Sequence, residues 1–181
     1  MYKYIDRSAD TAKSAYAPRR RHRRGVVLHE TIGTESLAWL QRHDPNPATR
    51  SSSDFLISRV GDIYQIVPTG TYSFHSGPAR WRLYQDPDGT LNESFIGVEL
   101  ENHPAKGQVI TGAQYMALGA LVRRLFGYHH MDVRNLCGHY ECARPAGRKQ
   151  DPTTLNWGML SAELINPSSE QLLYRFPEVL P

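Results

Sequence analysis

Phe95-Ile96-Gly97-Val98-Glu99-Leu100-Glu101 is the run on which the reading of this chain turns. Read as a strand with a period of two, it places Ile96, Val98 and Leu100 on one side and Gly97, Glu99 and Glu101 on the other. Two carboxylates on one face of an apolar strand are unexpected unless one has a task, and parity alone does not choose between Glu99 and Glu101. Similar runs lie on either side. Val26-Val27-Leu28 reads as a short buried strand that delivers His29 at its C-terminal end. Phe55-Leu56-Ile57 and Ile63-Tyr64-Gln65-Ile66-Val67, joined by a turn at Val60-Gly61, read as a hairpin. Asn135-Leu136-Cys137 is a further short strand, and it presents His139.

Helical signals interleave with these strands. Thr34 to Arg42 predicts a helix with Thr34 as N-cap and Leu37 and Leu40 on its buried side, stopped by Asp44-Pro45-Asn46-Pro47. Thr111 and Gln114 form a capping box for the strongest helix, with Leu118, Leu121, Val122 and Leu125 on one face and Gly127 at its C′ position. Asn156 to Ile165 predicts a last helix. The pattern is that of an α/β protein, one central mixed sheet flanked by helices. A length of 181 residues suits a single domain. We expect a basic N-terminal arm over residues 1–24, the domain over 25–165 and a loosely packed tail over 166–181. Pro68 to Asn92 reads as a long loop carrying His75, Trp81 and Tyr84, and such loops tend to be functional.

Composition excludes several classes. No apolar run is long enough to insert in a membrane. The first residues, Met1-Tyr2-Lys3-Tyr4-Ile5-Asp6, lack the features of a secretory signal, so the chain is expected to be cytoplasmic as synthesised, and monomeric. Arg19, Arg20, Arg21, Arg23 and Arg24 crowd around His22. They read as a solvated lead-in to the first strand or as attraction to an anionic polymer. No nucleic-acid motif accompanies them, so nucleic acid is not an expected partner. Cys137 and Cys142 are too few for a disulfide framework and read as buried thiols.

The chemistry concentrates in Cys137-Gly138-His139-Tyr140-Glu141-Cys142-Ala143-Arg144-Pro145-Ala146-Gly147-Arg148-Lys149-Gln150-Asp151-Pro152. Pro145 and Gly147 let the chain turn back, which can bring His139 and Asp151 to one point, with Lys149 on the same side of an extended segment. An imidazole, a carboxylate and a nearby cation look like part of a catalytic zinc site, which keeps three protein ligands and one open position. His29 is the expected third ligand.

Taken together, Val27-Leu28-His29, Ile96-Gly97-Val98-Glu99-Leu100-Glu101, Gly138-His139 and Arg148-Lys149-Gln150-Asp151-Pro152 resemble the zinc-dependent N-acetylmuramoyl-L-alanine amidases of the type-2 class, related to phage lysozyme-amidases and peptidoglycan recognition proteins. The hairpin Ser53 to Pro68 and the loop Phe74-His75-Ser76-Gly77 are similar to that family too, over roughly residues 25 to 160. The resemblance implies zinc on His29, His139 and Asp151, Glu99 rather than Glu101 as proton carrier, and Lys149 as oxyanion stabiliser. It also implies His75 along the substrate groove, and we add Trp81 and Arg148 as expected substrate contacts. The substrate would be peptidoglycan or a muropeptide. The setting implied is a phage-type endolysin released to the wall; the alternatives are a cytosolic muropeptide-recycling amidase and a non-catalytic peptidoglycan-binding module. Asp54, Ser53 and Thr153 depart from the family pattern, where histidine, tyrosine and glycine respectively are found in some or most members.

Overall fold

The computed structural model describes residues 3–33, 35–46, 49–167, 176 and 178. Its strands in chain order are β1 (Tyr4–Asp6), β2 (Tyr16–Pro18), β3 (Gly25–Glu30), β4 (Phe55–Ile57), β5 (Ile63–Gln65), β6 (Thr71–Ser73), β7 (Phe95–Leu100) and β8 (Leu136–Gly138). The α-helices are α1 (Ser36–Gln41), α2 (Gly112–His129), α3 (His139–Cys142) and α4 (Trp157–Ile165). Six strands form one sheet in the order β1-β5-β4-β7-β3-β8, parallel throughout except for the β4/β5 hairpin. The expected mixed sheet with flanking helices is therefore the architecture found.

β3 and β7 lie at the centre, and their near-continuous apolar runs follow from burial on both faces. On one face Val26, Leu28, Ile96, Val98 and Leu100 pack beneath α2, which contributes Leu118, Leu121, Val122 and Leu125, with Leu160 of α4 behind. On the other, Val27, Phe95 and Cys137 pack under the 79–91 segment, and Leu56 meets Leu40 of α1. His29 and Glu99 are partners across the β3/β7 pair, and Leu28 is opposite Gly138 of β8. Register alone thus brings His29, Glu99 and His139 to the carboxyl ends of three adjacent parallel strands.

Several expectations are corrected. The stretch before residue 25 is not an aperiodic arm. β1 extends the sheet edge beside β5, β2 pairs antiparallel with β6, and Tyr4 sets its ring against Phe55 at 6.4 Å. Arg23 is not solvated. Its guanidinium is fully buried, donates to Asp54 Oδ1 at 2.5 Å and to the Phe95 carbonyl at 2.7 Å, and lies within reach of further carbonyls. Asp54 in turn accepts from Ser73 Oγ and from the Gly97 amide, while Ser53 Oγ donates to the Gly97 carbonyl. Two of the three positions that depart from the family pattern, Ser53 and Asp54, thus brace β7. The expected long loop contains β6. The capping box at Thr111 and Gln114 is present, but α2 runs through Gly127 to His129, and His130 takes the left-handed position with φ 53°. Thr34, expected as the α1 N-cap, and most of the 166–181 tail lie outside the described residues.

Candidate active site

His29 closes β3, and His139 opens α3 immediately after β8. Asp151 returns to them because its carbonyl accepts from the Tyr140 amide at 3.0 Å. The residues beyond it are held by Glu30, the neighbour of His29. One Glu30 oxygen accepts from the Thr153 amide at 2.7 Å, the Thr153 hydroxyl at 2.9 Å and the Thr154 amide at 3.2 Å; the other accepts from Asn102 Nδ2 and the Thr154 hydroxyl. Thr153, a departure from the family glycine, uses its hydroxyl in this clamp.

His29 Nδ1 and His139 Nδ1 are 3.0 Å apart, and Asp151 Oδ2 lies 3.3 Å from the first and 3.1 Å from the second. These spacings suit three corners of a tetrahedron around an ion about 2.0–2.1 Å from each donor, whose edges measure about 3.3 Å. The hydrogen-bond roles point the same way. His139 Nε2 is 3.0 Å from the Ser76 carbonyl, which can only accept, so Nε2 carries the hydrogen. His75 Nε2 is 3.2 Å from the Phe95 carbonyl and must also be protonated, so His75 Nδ1 accepts from His29 Nε2–H at 3.0 Å. Both ligand-side Nδ1 atoms are then bare lone pairs facing each other and a carboxylate oxygen. Three acceptors converge with no donor among them, and only a cation or a shared proton stabilises that meeting. Gly97 makes the relay possible, since a Cβ there would come within 2.5 Å of His75 Cγ.

Burial, with His139 alongside, pushes His29 down to about 4 against the pull of Asp151, so its ring is neutral near pH 7. Burial likewise carries His75 well below the usual histidine range. Burial alone would raise Asp151, but hydrogen bonds to the two histidines outweigh it and hold this carboxyl well below the usual range. Glu99 behaves oppositely. Burial, then the Asp151 charge, push it up to about 8 despite nearby Lys149, and its Oε2 is shut off from solvent with no hydrogen-bond partner.

These residues line a cleft of about 620 Å³. His29, His75, Glu99, His139, Lys149 and Asp151 all reach it. Glu101 does not, and accepts instead a long contact of 3.4 Å from the Arg59 amide. Two expected substrate contacts are also elsewhere. Trp81 packs against the Val27–Phe95 cluster near the other end of the strands, its Nε1–H donating to the Arg134 carbonyl. The Arg148 guanidinium donates to the carbonyls of Arg144, Ser76 and Pro78, so it fastens the His75 loop to the Asp151 loop. Sequence reading passed over the exposed apolar rim, Ile32 and Trp39, and the Glu30 clamp; a carboxylate directly after His29 in a buried strand was the available signal. Cys137 and Cys142 are buried and free, and neither joins the acceptor cluster.

Fold and donor set together define a class: an α/β domain with a candidate metal centre at the carboxyl ends of its parallel strands. More narrowly, the chain belongs to the N-acetylmuramoyl-L-alanine amidase family, whose match spans residues 19–154. Among curated relatives, the 1,6-anhydro-N-acetylmuramyl-L-alanine amidase AmpD of Enterobacter cloacae is 32% identical over 122 residues, which are 67% of this chain and 61% of that protein. The chain therefore spans about 61% of that relative's length. A crystal structure of an AmpD derivative superposes with a TM-score of 0.68 at 24% identity, covering 89% of this chain and 93% of the other, a likeness of fold. The amidase AmiD from E. coli, solved with anhydro-N-acetylmuramic acid-L-Ala-D-gamma-Glu-L-Lys, superposes with a TM-score of 0.64 at 26% identity, covering 93% of this chain and 63% of that one.

Proposed function

We propose that this chain hydrolyses the amide between the lactyl group of N-acetylmuramic acid and the L-alanine of the stem peptide, using zinc held by His29, His139 and Asp151. The observation that carries the reading is the convergence of three acceptor atoms within 3.3 Å, beside a Glu99 oxygen that has no partner. A zinc ion bound there would lower the pKa of a water to about 7 and polarise the scissile carbonyl. Glu99 takes a proton from the attacking water and returns it to the leaving amine; its place on the cleft wall, in register with His29, suits that exchange. Lys149, exposed on the cleft wall, offers its ammonium to the negative charge that develops on the carbonyl oxygen. His75 holds the His29 tautomer through the relay described above. Ile32 and Trp39 supply apolar surface for the uncharged parts of the substrate.

Two settings remain as readings of this chemistry. The endolysin reading rests on the arginine run and its attraction to an anionic wall. The soluble-muropeptide reading rests on relatives named for, or solved with, anhydro-muramyl compounds. Purified protein is offered anhydro-muropeptides and intact sacculi, and released stem peptide is followed by mass spectrometry. Both settings require peptide beginning with L-alanine. Release from soluble compound with sacculi untouched selects the recycling setting, and efficient release from sacculi selects the endolysin setting. No release from either substrate by zinc-loaded protein would overturn the amidase reading and leave a binding module.

A further inference from the structure

Of the three converging acceptors, Asp151 is the one whose place no strand or helix fixes. His29 closes β3 and His139 opens α3, whereas Asp151 ends the segment 144–150, which is exposed apart from half-buried Arg148 and has no core of its own. Much of its placement must therefore come from the residues beyond it. His29 and Glu30 are successive residues of β3, so they point to opposite faces of the sheet. Asp151 meets His29 on one face, and four residues later Leu155 packs with Val26 and Leu28 on the other. The chain crosses the end of β3 at residues 152–154, and there Glu30 receives it.

Glu30 is 6% exposed, and five donors converge on its two oxygens. Four come from the amides and hydroxyls of Thr153 and Thr154, and the fifth is Asn102 Nδ2. Asn102 is a firm post, only three residues beyond Glu99. Its amide donates to the Thr31 hydroxyl at 3.0 Å, and its Oδ1 accepts from Arg59 Nη1 at 2.6 Å. A guanidinium can only donate, so the Asn102 NH2 must be the group that faces Glu30. One carboxylate thus joins the chain after His29, after Glu99 and after Asp151.

Backbone amides and a side-chain NH2 also only donate, so the group that gathers them must accept on both sides. A carboxylate does this and a carboxamide does not. We infer that Glu30 is a positioning residue for the metal site: it holds the Asp151 carboxylate 3.1–3.3 Å from the two histidines ahead of any ion, and thereby tightens zinc binding. A ligand already in place spares binding the cost of ordering it. Glu30 acts from outside the donor set, because five hydrogen bonds use up the roughly four lone-pair sites of a carboxylate. The inference rests on the zinc reading of the site and not on the amide chemistry.

The pair supplies its own test, because donor and acceptor can be exchanged between the two residues. Glu30→Gln keeps the size and an acceptor for the Thr153 and Thr154 amides, but turns an NH2 towards that of Asn102. Asn102→Asp in the same chain gives that NH2 an acceptor and keeps an oxygen for Arg59. Zinc affinity is measured by competition with a chromophoric chelator, and amide hydrogen exchange is followed in zinc-free protein. Glu30→Gln should weaken zinc about tenfold. It should also speed exchange at Thr153 and Thr154 about tenfold or more, with the α2 amides unchanged. The double variant should bind zinc within about threefold of wild type, whereas Asn102→Asp alone, which sets two carboxylates together, should not. Unchanged zinc affinity in Glu30→Gln would overturn the inference, as would equally faster exchange throughout α2, the mark of a purely structural role. A loss that Asn102→Asp does not restore would overturn it too, by making Glu30 a ligand or proton carrier in its own right. Absence of zinc from the wild type would defeat the zinc reading and this inference with it; zinc binding indifferent to Glu30 would defeat this inference alone.

Discussion

Glu99 makes a prediction about pH that a residue of merely structural role would not. Its carboxyl has an ordinary value of 4.5 and is pushed up to about 8 in the folded chain, first by burial and then by Asp151. Between these values the unfolded chain releases the proton and the folded chain keeps it. Folding then binds a proton, so stability is full below about pH 4.5 and is lost as pH rises towards about 8. At about 1.4 kcal/mol per pH unit, the interval caps the loss at about 5 kcal/mol, and local relaxation with water entry reduces the expected loss to about 2–4 kcal/mol. The assay is urea unfolding of chelator-treated protein at several values between about pH 5 and 8, beside Glu99→Gln, whose amide does not titrate. The difference between the two proteins should fall steadily with pH. Zinc should flatten it, because a neighbouring cation favours the carboxylate. A difference constant within about 0.5 kcal/mol across the range would refute the claim that the fold holds a proton on the partly buried Glu99 until a cation arrives.

Other substitutions test the supports around it. His75→Ala should weaken zinc binding about 10–100-fold in competition with a chromophoric chelator, since it frees the His29 tautomer; unchanged affinity would break the relay. Arg23→Met should cost about 3–5 kcal/mol in urea unfolding by leaving Asp54 charged and buried, and Asp54→Asn in the same chain should restore much of it. Lys149→Ala should lower turnover about 10²-fold with zinc content unchanged, and a variant of full activity would remove Lys149 from the chemistry.

What could be read in the sequence was what burial writes into it. β3 and β7 are apolar because both faces are covered, and the residues that interrupt them, His29 and Glu99, therefore stood out. That they are partners in register was not legible, because pairing is a property of two strands and neither sequence names its neighbour. β1 and β2 escaped notice for a related reason: three residues are too few to show alternation, and their order comes from edges supplied by β5 and β6. Arg23 was misleading because a charge in a basic run reads as solvated, and only Asp54, 31 positions away, reveals why it is buried. Gly127 illustrates the weakness of a local stop signal: α2 continues past it to His129, and the left-handed turn falls on His130. Trp81 and Arg148 were assigned to substrate from residue type and neighbourhood, whereas the direction of each side chain was settled by carbonyls distant in sequence.

The central claim is that His29, His139 and Asp151 form one zinc site with Glu99 beside it as the proton carrier. It is tested most directly by elemental analysis of protein stripped with a chelator, reloaded with zinc and passed through a desalting column. The account predicts about one zinc per chain in the wild type and in Glu99→Ala, and loss of that zinc in His29→Ala, His139→Ala and Asp151→Ala. One equivalent of zinc retained by His139→Ala would contradict it.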